Sequence, residues 1–411
     1  MKVIIISAGR YPVPAIKGGA VSNLIEHLIS GNSNKKEVDL TITSPYDRSA
    51  EKKSKIYKNC SFLFIKIPSI LSKIENIIYS IIKKFFPRKD FISIKSICSF
   101  PWFIIENAIF LKKNEFDYVI IENTARLFWC IKLFGNRKKY RGKVYYHLHN
   151  EPKKLGGCMN IIKECKEIIC VSEYIKKVIT SQSNILYIDD EERVKVLYNC
   201  IDTKRFAPLD ENIILETKKK FGIKNSDYVI LFSGRIDKEK GILEVLESLK
   251  YVKTKNIKLL IVGSSFYGMD VKTDFEEKII NMSKEFIDKV IFTGFLKYEE
   301  MPLIYNICDI AVLPSMWEEP AGLTIVEAMS CERAVITTLS GGIPEYADSN
   351  SAIILKRDED ISKNIADKID YLLNNPKVMV SMAKNGRMHV LKNFDSQLYM
   401  NRMVKILKEN R

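Results

Sequence analysis

The stretch at residues 310–337, IAVLPSMWEEPAGLTIVEAMSCERAVIT, decides the fold class. It begins with a continuous apolar run at 310–313 and ends with another at 334–337, as strands buried on both faces do. Between them, the sequence predicts a loop over 315–322 and, from its apolar spacing, a helix over about 323–331. A strand, a helix and a second strand in this order are the repeating unit of a parallel sheet covered by helices.

The same alternation extends over the whole chain. Buried strands are predicted at residues 3–6, 40–43, 118–121, 144–148, 168–171, 194–197, 228–232, 258–262, 290–292, 310–313 and 334–337. Amphipathic helical segments between them include 21–29, 243–249, 275–286 and 361–373. Two such sheets in succession predict an α/β chain of two Rossmann-like, doubly wound domains. We place these domains at residues 1–203 and 204–390, and expect a helix at 391–411 to pack back on the first.

Length and composition agree with this organisation. The 411 residues are too many for one hydrophobic core, and 46% hydrophobic with 28% charged residues excludes disorder, collagen and a coiled coil as the main state. The nine cysteines contain no Cys-x-x-Cys pair, which argues against a disulfide framework or zinc knuckle and favours a reduced cytosol. The first apolar run is too short for a signal peptide, and we expect no membrane-spanning segment.

The net charge of +15 is concentrated in the first half of the chain. Residues 1–200 carry 34 Lys and Arg against 19 Asp and Glu, whereas residues 201–411 carry 31 of each. We therefore expect the first domain to meet an anionic partner. Nucleic acid is not the partner we expect, because the sequence has no zinc-finger spacing, RNP-like aromatic strand or basic heptads.

The basic half contains an amphipathic segment, residues 67–89. Its apolar residues from Ile67 to Phe86 recur every three or four positions, which predicts a helix that ends at Pro87. In one interpretation this helix docks on its own domain. In the other it lies on an anionic bilayer, assisted by the lysines and arginines around it. The protein is expected in the cytoplasm, and the second interpretation places it at the inner face of the cell membrane.

Two glutamates accompany the loop and helix of the opening stretch. Glu319 lies in the loop, and Glu327 lies about one turn into the helix. The unpaired N–H groups and the positive dipole end at the start of that helix make it a candidate anion site. The alternative is a capped helix with one acidic residue before it and one exposed on its surface.

The segment FSGRIDKEKG, residues 232–241, is a second candidate. A strand leads into a glycine turn that is followed by Arg235 and Lys240. Arginine can clamp phosphate oxygens with two hydrogen bonds and lysine adds a point charge. A solvated charged loop is the alternative interpretation.

Two segments of the first domain also follow predicted strands. Gly18 and Gly19 open a helix, and the missing side chains let a ligand approach the backbone. In VYYHLHNE, residues 144–151, His147 and His149 lie two apart and so share one face of a strand. No third histidine or cysteine is near them in sequence to complete a metal site. We interpret His149 as a hydrogen-bonding residue, with a structural role as the alternative.

Together these motifs resemble those of the retaining family 4 glycosyltransferases, which have the GT-B fold. The resemblance covers nearly the whole chain. It also rests on CVSEYIKK (170–177), VLYNCIDTKRFAP (196–208), VIFTGFL (290–296), IYNICDIAVLPS (304–315) and LSGGIPEYAD (339–348). Cys200 stands where the family often has Gly, and Ala321 stands where Phe is common. Members with an LHNE segment that act in bacterial surface-polysaccharide synthesis resemble the chain most.

The resemblance implies a GT-B enzyme whose two domains face each other across a deep cleft. Arg235 and Lys240 would hold the pyrophosphate of a nucleotide sugar. Glu327 would accept hydrogen bonds from the ribose, and Glu319 from the donor sugar. The implied catalytic residues are Glu319, His149, Arg235 and Lys240. The implied donor-binding residues are Gly18, Gly19, Arg235, Lys240, Gly294, Glu319, Gly322, Leu323, Thr324 and Glu327.

The resemblance further implies transfer without a metal ion or other cofactor, with a UDP-sugar favoured over a GDP-sugar. The acidic string at residues 358–360 is interpreted as a helix start rather than a metal site. Front-face attack is favoured over double displacement, because no carboxylate can be assigned as the nucleophile. The expected acceptor is a saccharide, and the basic first domain favours a lipid-linked one.

Other functions are compatible with the same fold. A sugar-nucleotide epimerase would need no acceptor, and a phosphorylase would need a cofactor lysine that the sequence does not identify. A non-catalytic binding or assembly subunit is the third alternative. It would have no chemical reason to keep all five residues that carry the proposed chemistry, namely His149, Arg235, Lys240, Glu319 and Glu327.

Overall fold

The structure is a computed structural model that describes residues 1–85, 96–263 and 273–409. The chain divides into two compact units. The first comprises Met1–Val171, Ile175–Leu197 and Tyr399–Arg411, and the second comprises Ser172–Tyr174 and Tyr198–Leu398. The end of the predicted helical segment 391–411 thus groups with the first unit from residue 399 onward, whereas residues 391–398 group with the second.

The first unit is built on a seven-stranded parallel sheet. Its strands are β1 (Lys2–Ile6), β2 (Asp39–Pro45), β3 (Cys60–Ile65), β4 (Tyr118–Glu122), β5 (Val144–Leu148), β6 (Glu167–Cys170) and β7 (Val194–Val196). Their order in the sheet is β3-β2-β1-β4-β5-β6-β7. Every residue of β4 and β5 is buried, as expected for central strands with helices on both faces.

The second unit is built on a six-stranded parallel sheet. Its strands are β8 (Tyr228–Ser233), β9 (Ile257–Val262), β10 (Val290–Gly294), β11 (Ile310–Leu313), β12 (Ala334–Thr338) and β13 (Ile353–Leu355), in the order β10-β9-β8-β11-β12-β13. Alternate residues of β8 belong to two different core clusters, with Val229 and Leu231 in one and Ile230 and Phe232 in the other. Both faces of this sheet are therefore buried, and the predicted class of two Rossmann-like α/β domains is confirmed.

Helices connect the parallel strands. They are α1 (Ala20–Asn34), α2 (Arg48–Ser54), α3 (Ser69–Phe85), α4 (Ser99–Lys113), α5 (Trp129–Lys132), α6 (Asn136–Lys139), α7 (Met159–Lys163), α8 (Glu173–Thr180), α9 (Glu211–Lys220), α10 (Ile242–Ser248), α11 (Asp274–Ser283), α12 (Met301–Ile307), α13 (Leu323–Ser330), α14 (Ile343–Tyr346), α15 (Ile361–Asn374), α16 (Pro376–Asn393) and α17 (Ser396–Lys408). Within the described residues, none of these helices combines the length and apolar character needed to cross a bilayer.

Two strands were not predicted from the sequence, β3 and β13. Both are outermost strands of their sheets. Most residues of β3 are only partly buried, and β13 is three residues long. An edge strand has one unpaired side and need not be a continuous apolar run, so the pattern used for buried strands misses it.

The amphipathic segment 67–89 forms α3, of which no residue is fully buried. Residues 86–89 lie outside the described residues. Glu75 joins the helix to the start of α4, where its carboxylate accepts hydrogen bonds from the backbone N–H groups of Cys98 (2.9 Å) and Ser99 (2.8 Å). One side of α3 thus packs on its own unit. The apolar residues next to this docked side are exposed.

Candidate active site

Glu319 lies at the centre of a polar cluster in the loop between β11 and α13. Its Oε2 accepts hydrogen bonds from the Nζ of Lys240 (2.5 Å), the Oγ of Ser315 (3.0 Å) and the Nε1 of Trp317 (3.0 Å). The Nζ of Lys240 also lies 5.6 Å from the centre of the Trp317 ring. The structure therefore brings together two predicted site residues, Glu319 and Lys240, from loops that follow neighbouring strands.

Two glycines hold the Glu319 loop in place. Gly341 has a φ of +47°, and a Cβ at this position would collide with the carbonyl oxygen of Glu319. The backbone N–H of Gly342 donates to that same oxygen at 2.7 Å. A Cβ on Gly342 would lie 2.5 Å from the carbonyl oxygen of Pro320. Close backbone approach thus requires glycine at both positions, a role that the sequence analysis did not identify.

Arg235 is held by carboxylates of its own loop. Its Nη1 lies 2.7 Å from Oδ2 of Asp237, and its Nη2 lies 3.3 Å from Oε2 of Glu239. Burial raises the pKa of Asp237, against the effect of the arginine. No ion pair joins Arg235 to Glu319 in the part of the chain that the structure describes. These ion pairs with the two neighbouring acidic residues were not predicted from the sequence.

Glu327 is buried in α13. The hydroxyl of Tyr305 donates to its Oε2 at 2.9 Å, and Tyr298 is a second hydrogen-bond partner. Burial raises the pKa of Glu327 to about 7, although the hydrogen bonds from the tyrosines act in the opposite direction. The alternative of a glutamate exposed on the helix surface is wrong, because α13 turns this side chain toward α12, which carries Tyr305.

Several glycines lie where the strands of the second sheet end, at the edge formed by their carboxyl ends. Gly294 ends β10 with a φ of +71° and open space where a Cβ would be. Gly322 precedes α13, whose first residues are Leu323 and Thr324, and no side chain of the described residues caps this helix start. At the end of β9, a Cβ on Gly263 would collide with the carbonyl oxygen of Gly234. The peptide groups of this edge can therefore approach a ligand closely.

In the first unit, Gly18 and Gly19 precede α1. Their φ angles are +74° and +98°, in the region that favours glycine. A Cβ on Gly19 would lie 3.1 Å from the ring of Tyr11, whereas nothing lies within 4 Å of the same position on Gly18. The predicted role of these residues as the glycine-rich start of a helix agrees with their conformation, and their contact with a ligand stays a prediction.

His149 belongs to a buried cluster with His147 and Glu122. Glu122 accepts hydrogen bonds from Nδ1 of His147 (3.2 Å) and Nε2 of His149 (2.8 Å). One ligand atom of each residue lies within 4.8 Å of the others, so the set could hold a metal ion. Sequence spacing does not connect Glu122 with the two histidines, because Glu122 comes from β4, which lies next to β5 only in the folded sheet. The detectable signal was a single carboxylate at the end of the apolar run YVIIE.

The acidic string 358–360 immediately precedes α15, which begins at Ile361. Asp358 accepts a hydrogen bond from Nδ2 of Asn364 within the same segment, at 3.2 Å. The helix therefore starts where the sequence analysis placed it, directly after the carboxylates.

Comparison with known proteins identifies relatives of the chain. Residues 214–389 match the family described as "Glycosyl transferases group 1". The chain is 23% identical over 418 residues to "Spore coat protein SA" of Bacillus subtilis (strain 168), with 100% of both chains covered. It is 31% identical over 241 residues to "Capsular polysaccharide biosynthesis glycosyltransferase CapM" of Staphylococcus aureus, which covers 56% of this chain and 58% of the relative.

A solved structure supplies the fold comparison. The crystal structure of Anabaena Alr3699/HepE in complex with UDP and glucose superposes with a TM-score of 0.73 and 17% identity, covering 100% of both chains. The chain therefore has the GT-B fold, and its residues 214–389 match the group 1 glycosyltransferase family.

Proposed function

We propose that this protein is a retaining, family 4 glycosyltransferase that moves a hexose from a nucleotide sugar to a saccharide acceptor in bacterial surface-polysaccharide synthesis. The observation that carries the proposal is the contact between Lys240 and Glu319. It brings a cation that can bind phosphate and a carboxylate that can bind sugar hydroxyls into one cluster, in the unit that contains the matched residues 214–389. The name of the Staphylococcus aureus relative supports the polysaccharide context.

The cations of the second unit stabilise the leaving group in this proposal. A nucleoside diphosphate departs as a polyanion, so electrostatic stabilisation of its charge is a large part of catalysis. Lys240 and Arg235 supply two positive charges, and the first N–H groups of α13 at Leu323 and Thr324 supply donors with the helix dipole behind them. Arg235 must exchange its carboxylate partners for phosphate oxygens.

The two glutamates recognise hydroxyl groups. Glu319 accepts hydrogen bonds from the donor sugar and Glu327 accepts them from the ribose. The complex of Anabaena Alr3699/HepE with UDP and glucose supports a UDP-sugar as the donor. From the first unit, His149 contacts the reacting sugar, and Gly18 and Gly19 contact the phosphates.

The proposed reaction needs no metal ion. Lys240 and Arg235 supply the positive charge that a divalent cation would otherwise bring to the phosphates. For the retaining step we favour front-face attack, because Glu319 already accepts three hydrogen bonds with one oxygen. A nucleophilic carboxylate would have to be released from such partners before it could attack.

Two cations in the segment that follows β4 support an anionic, lipid-linked acceptor. The guanidinium of Arg126 lies 4.9 Å from the centre of the Phe100 ring. The Nζ of Lys132 lies 4.4 Å from the centre of the Trp129 ring and donates to the carbonyl oxygen of Gly157 at 2.5 Å. Among the described residues, neither cation forms an ion pair with a carboxylate. Both are suited to a phosphate that links the acceptor saccharide to lipid.

The exposed face of α3 supports a position at the inner face of the cell membrane. This face consists of five large apolar residues, which we call the α3 stripe: Ile70, Ile74, Ile77, Ile81 and Phe85. Ile70 is 70% exposed and Phe85 is 74% exposed. Lys73, Lys83 and Lys84 lie on the same helix, as a helix on an anionic surface requires. Ile78 and Ile82 are partly buried and belong to the docked face instead.

The direct test is a panel of UDP-, GDP- and ADP-sugars incubated with the purified protein in excess EDTA. Many transferases release nucleoside diphosphate slowly to water, so the acceptor need not be known. We expect selective release from one donor, lost in Glu319→Ala. Activity that EDTA abolishes and manganese restores would contradict the metal-independent reaction. Neither release nor binding of any donor would favour a non-catalytic subunit.

A further inference from the structure

His147 and His149 both form hydrogen bonds with the carboxylate of Glu122, because the parallel strands β4 and β5 are neighbours in the first sheet. Glu122 is the last residue of β4 and stands opposite His147 of β5 in the register. His147 and His149 lie on the same face, with ring centres 4.2 Å apart. Each oxygen of Glu122 accepts a hydrogen bond from one of the two rings. None of the three side chains is more than 5% exposed.

The backbone fixes the same arrangement. The N–H of His149 donates to Oδ1 of Asn123 at 3.1 Å, and the N–H of Asn123 donates to the carbonyl oxygen of His147 at 2.7 Å. The hydroxyl of Tyr146 donates to the carbonyl oxygen of Asn123 at 2.7 Å. The ends of β4 and β5 are therefore held together by side-chain hydrogen bonds as well as by the backbone pairing of the sheet.

A carboxylate can only accept hydrogen bonds, so each ring must carry a proton on the nitrogen that faces Glu122. Burial alone would raise the pKa of Glu122, but the two histidines outweigh burial and lower this pKa to about 2. Burial lowers the pKa of His149, followed by the effect of His147, and this favours the neutral ring. With its one proton on Nε2, His149 has an unprotonated Nδ1.

That Nδ1 lacks a partner. It is buried and has no hydrogen-bond partner among the described residues, and the same is true of Nε2 of His147. A buried polar atom left unpaired costs about 1–3 kcal/mol, so such atoms in native proteins call for a water, ion or ligand group. An unprotonated ring nitrogen requires a donor, and the hydroxyl group is the donor that saccharides offer.

We propose that Glu122 is a positioning residue that fixes His149 as the Nε2–H tautomer, so that its Nδ1 accepts a hydrogen bond from a saccharide hydroxyl. The inference rests on the proposed function for the identity of the ligand, and on the contacts of Glu122 for the tautomer. A shared zinc ion is a poorer description of the cluster. Two ligands of one tetrahedral zinc lie about 3.3 Å apart, whereas Nε2 of His149 lies 2.8 Å from Oε2 of Glu122.

The test replaces Glu122 with glutamine in the full-length protein. A glutamine oxygen can accept from one ring, but its NH2 group donates to the other, so one histidine must give up its facing proton. Glu151→Gln is the matched control, because this glutamate is exposed and follows β5, the strand that leads to both histidines. Tautomers are assigned from the ¹⁵N shifts of the histidine rings in long-range ¹H–¹⁵N spectra. Turnover of the nucleotide sugar and thermal unfolding are followed on the same samples.

We expect wild-type His149 to carry its proton on Nε2, and Glu122→Gln to change the tautomer of one ring and lower kcat/KM at least about tenfold while the protein stays folded. Glu151→Gln should leave tautomer and turnover unchanged. A wild-type His149 protonated on Nδ1 would overturn the proposal, even if Glu122→Gln does not fold. The proposal would also be overturned if the wild-type protein contained stoichiometric zinc and the Glu122→Gln variant did not. A tautomer that depends on Glu122 in a protein without activity on any nucleotide sugar would instead contradict the proposed function alone.

Discussion

Lys240 and Glu319 are separated by 79 residues in sequence, yet the Nζ of Lys240 lies 2.5 Å from Oε2 of Glu319. The two residues follow β8 and β11, which are neighbours in the second sheet. Ligands of doubly wound sheets bind outside the carboxyl ends of the strands, where these two loops meet. The pair therefore places a fixed positive charge at the edge of the sheet where we propose the phosphates of the donor bind.

Removing the charge of Lys240 should reduce catalysis without unfolding the protein. We expect Lys240→Met to lower donor turnover by roughly 100-fold or more, as loss of a single preorganised donor does in other enzymes. Lys238→Met is the control, because Lys238 is exposed in the same loop. Turnover is measured as release of nucleoside diphosphate, and folding by circular dichroism. Equal turnover of the two variants would contradict the assigned role.

Arg235 should be as sensitive, although it is paired with Asp237 and Glu239. We expect Arg235→Ala to lower turnover strongly, because a planar guanidinium binds two phosphate oxygens at once. Arg235→Lys should restore only part of the lost rate, since an ammonium group cannot form that paired geometry. Full recovery in the lysine variant would mean that only the charge at this position matters.

Gly341→Ala should disturb the Glu319 loop. The added methyl group would collide with the carbonyl oxygen of Glu319, at a φ that already disfavours alanine. We expect about 1–3 kcal/mol less free energy of unfolding and at least tenfold lower turnover. Gly222→Ala is the matched control. Gly222 has a φ of +67°, but nothing lies within 4 Å of the added Cβ. The free energy of unfolding of this variant should therefore fall by about 1 kcal/mol, and its turnover should be unchanged. Normal turnover in Gly341→Ala would refute the role of this glycine.

Glu327 should make the stability of the protein depend on pH. Its pKa is raised from 4.5 to about 7 by burial, so the folded state holds a proton that the unfolded state releases between these values. The contribution is favourable below about pH 4.5 and is lost as pH rises through about 7, on the order of 3 kcal/mol. Urea unfolding at pH 5 and pH 8 should show a smaller loss in Glu327→Gln than in wild type. The control variant Glu299→Gln, at an exposed position, should lose as much stability as wild type. The same loss in wild type and in both variants would contradict the raised pKa of Glu327.

The α3 stripe should control membrane binding. We expect the triple variant Ile74→Ser, Ile77→Ser, Ile81→Ser to bind phosphatidylglycerol vesicles about 100-fold more weakly at moderate salt, since it loses exposed apolar surface without affecting the docked face. The control removes comparable exposed residues from α16, with Val378→Ser, Val380→Ser and Met388→Ser. Equal loss of binding in both triple variants, or none in the first, would remove the membrane interpretation.

The sequence was informative wherever a structural feature is local. Continuous apolar runs predicted the central strands and hence the fold class, and glycine or charged residues after those runs predicted the loops that carry Lys240 and Glu319. The contacts of Glu122 with His149 and of Tyr305 with Glu327 could not be predicted, because they depend on which strands and helices become neighbours. The docked face of α3 was equally hidden, since the apolar residues form one broad face of that helix and the sequence does not show which part of this face contacts the protein.

The central claim is a nucleotide-sugar site built around Lys240 and Glu319. Its most direct test is calorimetric titration of UDP, with GDP in parallel, into wild type, Lys240→Met and Lys238→Met in the presence of EDTA. We predict that wild type and Lys238→Met bind one equivalent of UDP alike, and that Lys240→Met binds it at least tenfold more weakly. Absence of nucleotide binding in wild type, or equal affinity in all three proteins, would contradict the account.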